Sequence, residues 1–556
     1  MNALDTTLHF HERTKHAFER YARSLGYMDW DNQPDPFRRF ADAPLVQLAL
    51  GTGERSTSYD DLYSAGKAPP EPANLDSLSA FFELSLAISA WKETQGSRWA
   101  LRINPSSGNL HPTECYLIAG PVPGLHDLPA VYHYAPKEHA LERRAEFSHD
   151  TWQQLAEGFR ASPFFIGLSS IHWREAWKYG ERAYRYCQHD IGHAVAAIAM
   201  SAAIQGWQVR WLDEMSDDQV AGLLGLDRPE DFEDVEPEHP DLLLAVMPAQ
   251  HDVGENATSQ AVDINARGVS ASVVTAIAKG NWCGSANPLS ANHVEWDIID
   301  AVAAACAKPM TEALTTQATE AMLGSPLDPD RPPVPAETII RQRRSAVAMD
   351  GRTGISAEQF FLMLDRLMPR PDRPPWQALG PPACVHLGLF VHLVDGLDPG
   401  LYCLVRSPDR LDEIRSAMDP AFEWQQPPDC PESLPLFVLQ RGDARKAAWK
   451  LSCDQQIAGA SAFSLGMIAE FEPRLREHGP WFYRRLFWET GMIGQILYLE
   501  AEAAGIRGTG IGCYFDDPVR EIFGLSVNAF QSLYHFTVGG PVGDTRLTTL
   551  PPYPDR

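Results

Sequence analysis

A chain of 556 residues exceeds the size at which one hydrophobic core keeps growing, so two or more domains are expected. With 44% hydrophobic and 22% charged residues the composition is globular, and no apolar run is long enough to span a bilayer. The net charge of −26 sets the surface as a whole against nucleic acid and anionic lipid, so a local basic pocket would stand out.

Residues 1–11 lack the basic start and apolar stretch of a secretory signal. Nine cysteines without a CxxC pair fit reduced thiols, a cytoplasmic location and no structural metal site. Residues 1–75 read as an N-terminal extension, and a first domain is expected over 76–250. Its first marked feature is NPSSGNLHP, residues 104–112, a dense run of turn formers and short polar side chains before the apolar run 115–118. Arg102 just before it is read as a surface ion-pair residue, with a counter-charge for a bound group as the alternative, and Glu83, Glu175 and Glu181 as surface or ion-pair residues.

Residues 185–207, RYCQHDIGHAVAAIAMSAAIQGW, are apolar or small around most of a helical circumference, as a helix buried between layers should be. DDQVAGLLGL (217–226) then reads as a short acidic-capped helix, and 242–247 as a strand. Between the halves, 249–261 is polar, 293–308 carries a helical pattern and 324–337 is Pro-rich. Residues 251–335 are taken as a linker with helices, and the stretch 282–308 as a cover over a substrate pocket.

The second domain, 336–556, opens with a cationic cluster. Arg341, Arg343 and Arg344 crowd four positions and Ser345 follows, a suitable receiver for a phosphate dianion. Ser356 is a plausible N-cap for the amphipathic helix behind it. Residues 484–506, RRLFWETGMIGQILYLEAEAAGI, repeat the earlier central helix: aligning Asp190 with Glu489 also pairs Gly192 with Gly491 and Gly206 with Gly505. Small residues at Gly192, Gly491 and Gly494 would let another helix approach closely. GTGIGCYF, DDPVREIFGL (516–525) and a strand-like run at 535–538 follow in the same order as in the first half. The tail then adds Gly539-Gly540 and Arg546.

These segments, with WKYGERAYRYCQHDIGHA (177–194) and FTVGGPVGDTR (536–546), resemble the nitroreductase superfamily of flavoproteins, and more closely its SagB/ThcOx-type dehydrogenases. The resemblance implies an α+β fold: two nitroreductase-like α/β/α sandwich domains forming an intramolecular pseudo-dimer, with one FMN site between them. It assigns the cofactor to Pro105, Ser106, Ser107 and Asn109 of the first domain. From the second it assigns Arg341, Arg343, Arg344, Ser345, Gly510, Ile511, Gly512 and Arg546. Lys178 and Tyr179 match the Lys-Tyr pair with which azoline dehydrogenases of this type remove a proton while the flavin accepts hydride.

The implied activity is FMN-dependent dehydrogenation of a thiazoline, oxazoline or related C–N bond in a modified peptide or small molecule. An NAD(P)H-dependent nitro or quinone reductase and a redox-inactive scaffold subunit are the alternatives. Partners would be that substrate and members of a biosynthetic complex, with no nucleic acid or membrane. The chain would act as a monomeric pseudo-dimer or pair further.

Overall fold

The computed structural model describes all residues except 52–56, 65–66, 160–161, 249–268, 315–325, 330 and 526–527. Two antiparallel sheets carry one topology twice. The first sheet runs Ala140–Glu146, Ala130–Ala135, Thr113–Ala119, Phe164–Ser170, His239–Met247, Gln208–Trp211. The second runs Leu436–Arg441, Gly400–Leu404, Val385–Val391, Phe463–Glu470, Phe530–Gly539, Arg507–Ile511, with each strand in the same place by chain order. An identical crossover pattern in both halves is the structural form of the internal repeat seen in the sequence. The central strands are buried along their whole length, because helices cover one face and loops and short helices the other.

The repeated helices, Ala183–Ile204 and Phe482–Ala503, form the centre of the molecule and pack on each other. Glycine makes this approach possible. A Cβ added at Gly491 would lie 2.1 Å from the His189 carbonyl oxygen, and one at Gly192 would lie 2.1 Å from that of Trp488. Two capped short helices also form as their sequences predict. Asp217–Leu224 starts at a capping box of Ser216 and Gln219, and Ala357–Asp365 at one of Ser356 and Gln359.

The chain crosses between halves at both ends. Thr548–Leu550 adds a third strand to the first-domain hairpin Ile88–Thr94 and Ser97–Arg102. Helix Ala3–Arg13 lies against Asp297–Ala305, and just beyond it the His16 amide donates to Asp516 of the second half at 2.9 Å. No helix among the described residues is long and apolar enough to cross a membrane. The polar stretch 249–261 lies outside the described residues.

Candidate active site

The turn-rich loop stands directly on the first central helix. Asp190 accepts the Ser107 amide at 3.1 Å and the Ser107 hydroxyl at 3.2 Å. The Asn109 side chain is used at both ends: its amide donates to the Ala100 carbonyl at 2.8 Å, and its oxygen meets His111 Nε2 at 3.1 Å. The Ser106 hydroxyl accepts the His111 amide at 2.7 Å. This dense polar bracing holds three residues at positive φ, Gly108 at 59°, Asn109 at 60° and His111 at 52°. The internal repeat reproduces the device, since Glu489 accepts the amides of Cys384 and Val385 at 2.9 and 3.3 Å.

Above this loop a cleft of about 990 Å³ opens between the two domains. The first domain lines it with Pro105, Ser106, Ser107, Asn109 and Tyr179; the second adds Arg343, Arg344, Ser345, Gly510, Ile511 and Gly512. Those sequence-selected residues therefore converge on one surface from both halves of the chain. Lys178 is not on the lining surface but stands beside it: a Cβ at Gly108 would lie 2.6 Å from the Tyr179 hydroxyl and 3.2 Å from Lys178 Nζ.

Two other selected arginines point elsewhere. Arg341 donates to Glu337 at 2.6 Å and Glu83 at 3.1 Å, and Arg546 pairs with Asp544 at 2.7 Å with its side chain 83% exposed. Neither lines the cleft.

Five cationic side chains face this space: Lys92, Arg102, Arg343, Arg344 and Arg507, against two carboxylates, Glu502 and Asp544. Burial lowers Arg102 to about 10. Burial, followed by the adjacent Arg343 charge, does the same to Arg344. Lys92 is depressed by burial and then by Arg344 and Arg507. The Nε atoms of Arg102 and Arg343 are buried without a hydrogen-bond partner. Desolvated cations that repel one another are held at a cost, which an anion entering the cleft would offset.

The remaining wall is a glycine strand. Arg507–Ile511 pairs with Phe530–Gly539, so Gly508, Gly510 and Gly512 belong to a strand and its exit, and to no dinucleotide turn. Cβ atoms at Gly510 and Gly512 would overlap the rings of Tyr534 and Tyr186. Tyr498 ties this wall to the arginine segment: its hydroxyl accepts the Gly510 amide at 2.9 Å and the Ser345 hydroxyl at 3.0 Å, and the Arg343 guanidinium lies 5.1 Å from its ring centre. His193 reaches Tyr534 at 3.2 Å, and burial lowers it to about 3.

Several sequence expectations are corrected here. Arg102 is buried in the site, because the segment around Pro36, whose carbonyl it reaches, covers it. Glu175 is fully buried with both carboxyl oxygens unpartnered, although it lies one helical turn before Lys178. Glu83 and Glu181 do form ion pairs. No residue of 282–308 lines the cleft. Asn281–Trp282 extends the edge of the first sheet instead, with Trp282 packed over Gly225. Lys92, Arg507, Tyr186, Tyr498 and Tyr534 were not picked out. Arg507 alone carried a signal, standing directly before the glycine strand.

A two-domain α+β sandwich with glycine-packed central helices and one cationic cleft shared by both halves defines the class. Residues 84–235 match the nitroreductase family. A trifolitoxin-processing protein, TfxB of Rhizobium leguminosarum bv. trifolii, is 31% identical over 203 residues, 34% of this chain and 52% of that protein. A putative nitroreductase of Methanocaldococcus jannaschii is 26% identical over 124 residues, 22% of this chain and 62% of that one. The chain thus spans about half to three-fifths of these relatives. Among solved structures, a putative nitroreductase from Anabaena variabilis shares the fold over 97% of this chain and 99% of its own, with a TM-score of 0.69 at 20% identity.

Proposed function

We propose that this chain is an FMN-dependent oxidoreductase of the SagB/ThcOx type, acting on an azoline or related C–N bond in a modified peptide. The observation that carries the reading is the convergence of five cations on one cleft in a chain of net charge −26, two of them with orphaned guanidinium nitrogens. Arg343, Arg344, Ser345, Lys92 and Arg507 would hold the phosphate. The glycine strand, with Tyr534 and Tyr186 packed against its bare positions, and the 105–109 loop would flank the ring system. Arg341 and Arg546 enter this assignment only through the family resemblance, since their guanidiniums are engaged elsewhere.

FMN, when bound, supplies the hydride acceptor. The chain's own groups then have to bind the substrate and take up its proton. Tyr179 keeps its proton, raised well above the usual phenol range by burial and then by Glu175, so it acts as a hydrogen-bond donor. Lys178, beside it at the base of the loop, takes the proton. The likeness to a trifolitoxin-processing protein supports a peptide substrate.

The absorption spectrum of purified protein, with chemical identification of the released cofactor, tests the flavin assignment; a colourless protein that FMN does not reconstitute would sink it. Arg344→Ala should lower flavin occupancy. Lys178→Ala should keep the flavin and lose azoline oxidation by 10²-fold or more, the order expected for a general base.

A further inference from the structure

A second group of reactive side chains sits at the rim of the cleft. Cys513, just beyond the glycine strand, lines the cleft, and Cys453 lies on the turn packed against it. Backbone geometry brings the two segments together independently of the sulfurs. The Phe515 amide donates to the Leu451 carbonyl at 2.9 Å, and the Gln455 side chain donates to the Cys513 carbonyl at 2.9 Å. Cys453 and Asp454 sit at φ of 52° and 57°, a tight turn next to the Gln455 that reaches Cys513. Both cysteines are half-buried and free.

The surroundings favour a thiolate on Cys513. His16, on the N-terminal segment, accepts the Ala22 amide on Nδ1 at 2.9 Å. A neutral imidazole that accepts on Nδ1 carries its proton on Nε2, and His16 is among the groups that lower the Cys513 thiol. Arg182, whose guanidinium donates to the Gly512 carbonyl at 3.3 Å, adds positive charge. The other ionisable groups beside the pair are Asp516, paired with Arg182 at 3.0 Å, and Tyr21, whose phenol is raised by burial and then by the two thiols. The Cys453 hydrogen bond is the largest influence lowering Cys513, with His16 and Arg182 behind it, and the Cys453 thiol is raised correspondingly.

We propose that Cys453 and Cys513 are a dithiol that low-molecular-weight disulfides oxidise at the cleft rim, closing a reversible protein disulfide. The Cys513 thiolate attacks one sulfur of the small disulfide and expels a thiolate, which gives a mixed disulfide on Cys513. Cys453 loses its proton to solvent, attacks the Cys513 sulfur and expels the second small thiolate. The protein loses two electrons and the small disulfide gains them, becoming two thiols. The closed bond pins the exit of the glycine strand to the turn at 452–455. None of this depends on the flavin reading.

The test incubates the full-length protein with oxidised glutathione at pH 7, blocks remaining thiols with an alkylating agent and maps peptides without reduction. The expected result is a Cys453–Cys513 cross-link that dithiothreitol reverses. Cys453→Ser should stop at one glutathione on residue 513, and Cys513→Ser should form neither product. Both thiols remaining alkylatable under excess oxidised glutathione would overturn the proposal. So would glutathione accumulating on the half-buried Cys283 and Cys430 as fast as on Cys513.

Discussion

Glu175 is the residue whose surroundings differ most from its sequence reading, and its burial has a measurable consequence. Burial, and then the nearby charge of Asp190, raise its carboxyl well above the usual range; burial also lifts Asp190 to about 7. An acid with a raised folded-state pKa binds its proton more tightly folded than unfolded, so its contribution to stability falls as pH rises above the unfolded value near 4.5. Replacing it with a group that cannot ionise removes that dependence. Glu175→Gln should therefore gain stability relative to the parent between pH 5 and pH 8, by on the order of 1–3 kcal/mol. Denaturant unfolding at the two pH values measures the difference, and a difference that does not change with pH would mean that Glu175 is ionised in the folded protein.

His133 shows the opposite balance. Burial opposes its charge, but hydrogen bonds to Glu114 and Glu142 at 2.9 and 2.8 Å raise it to about 9. A histidine raised in this way stabilises fully below its unfolded value near 6.5, and the contribution disappears as pH rises through about 9. Melting temperature should fall across that window in the parent and fall less steeply in His133→Gln.

At the scale of elements, the central helix pair depends on contact between backbones. A methyl at Gly491 would meet the His189 carbonyl and the Gly192 Cα, both backbone atoms of a buried helix that cannot swing away. Overpacking of ordinary side chains costs about 1–3 kcal/mol, and Gly491→Ala should reach at least the upper end of that range. A melting temperature unchanged by this substitution would show that the helices can separate without loss. These glycines were legible in the sequence because the same spacing occurs twice. The capped short helices and the sheet-closing strands were legible for a related reason: each is specified by a few neighbouring residues. The same holds for the loop at 104–112, whose turn formers are contiguous. Side chains that meet only through tertiary structure gave no such signal. Lys92 sits on an exposed-looking hairpin, and Tyr498 and Tyr534 look like ordinary core aromatics until the two halves are brought together. Glu175, and the surface reading of Arg102, differ from the structure because charged residues are buried so seldom that a surface position is the default reading.

At the scale of the whole molecule, the repeat could have built two clefts, and the structure shows why it builds one. The helix alignment that pairs Gly206 with Gly505 sets Val209 opposite Gly508 and Trp211 opposite Gly510. Where the second domain leaves a bare strand beside its cleft, the first therefore presents large side chains. Trp211 packs edge-on to Trp488 with ring centres 5.4 Å apart, and the short helix Trp376–Leu379 lies against the same strand. The loop counterpart is closed as well, because Glu489, having taken the amides of Cys384 and Val385, is ion-paired to Arg406. Room and free cations are thus both lost on that side, while the retained cleft takes Lys92 and Arg102 from one domain and Arg343, Arg344 and Arg507 from the other. Fully loaded protein should carry about one FMN per chain, since among the described residues the counterpart of the cleft has lost both the space and the charge to hold it. Quantifying released flavin against protein by amino-acid analysis measures the ratio. A value near two would require Trp211 and its covering helix to move aside, and a ratio of one that survived removal of residues 1–335 would show that the second domain holds the cofactor without its neighbour.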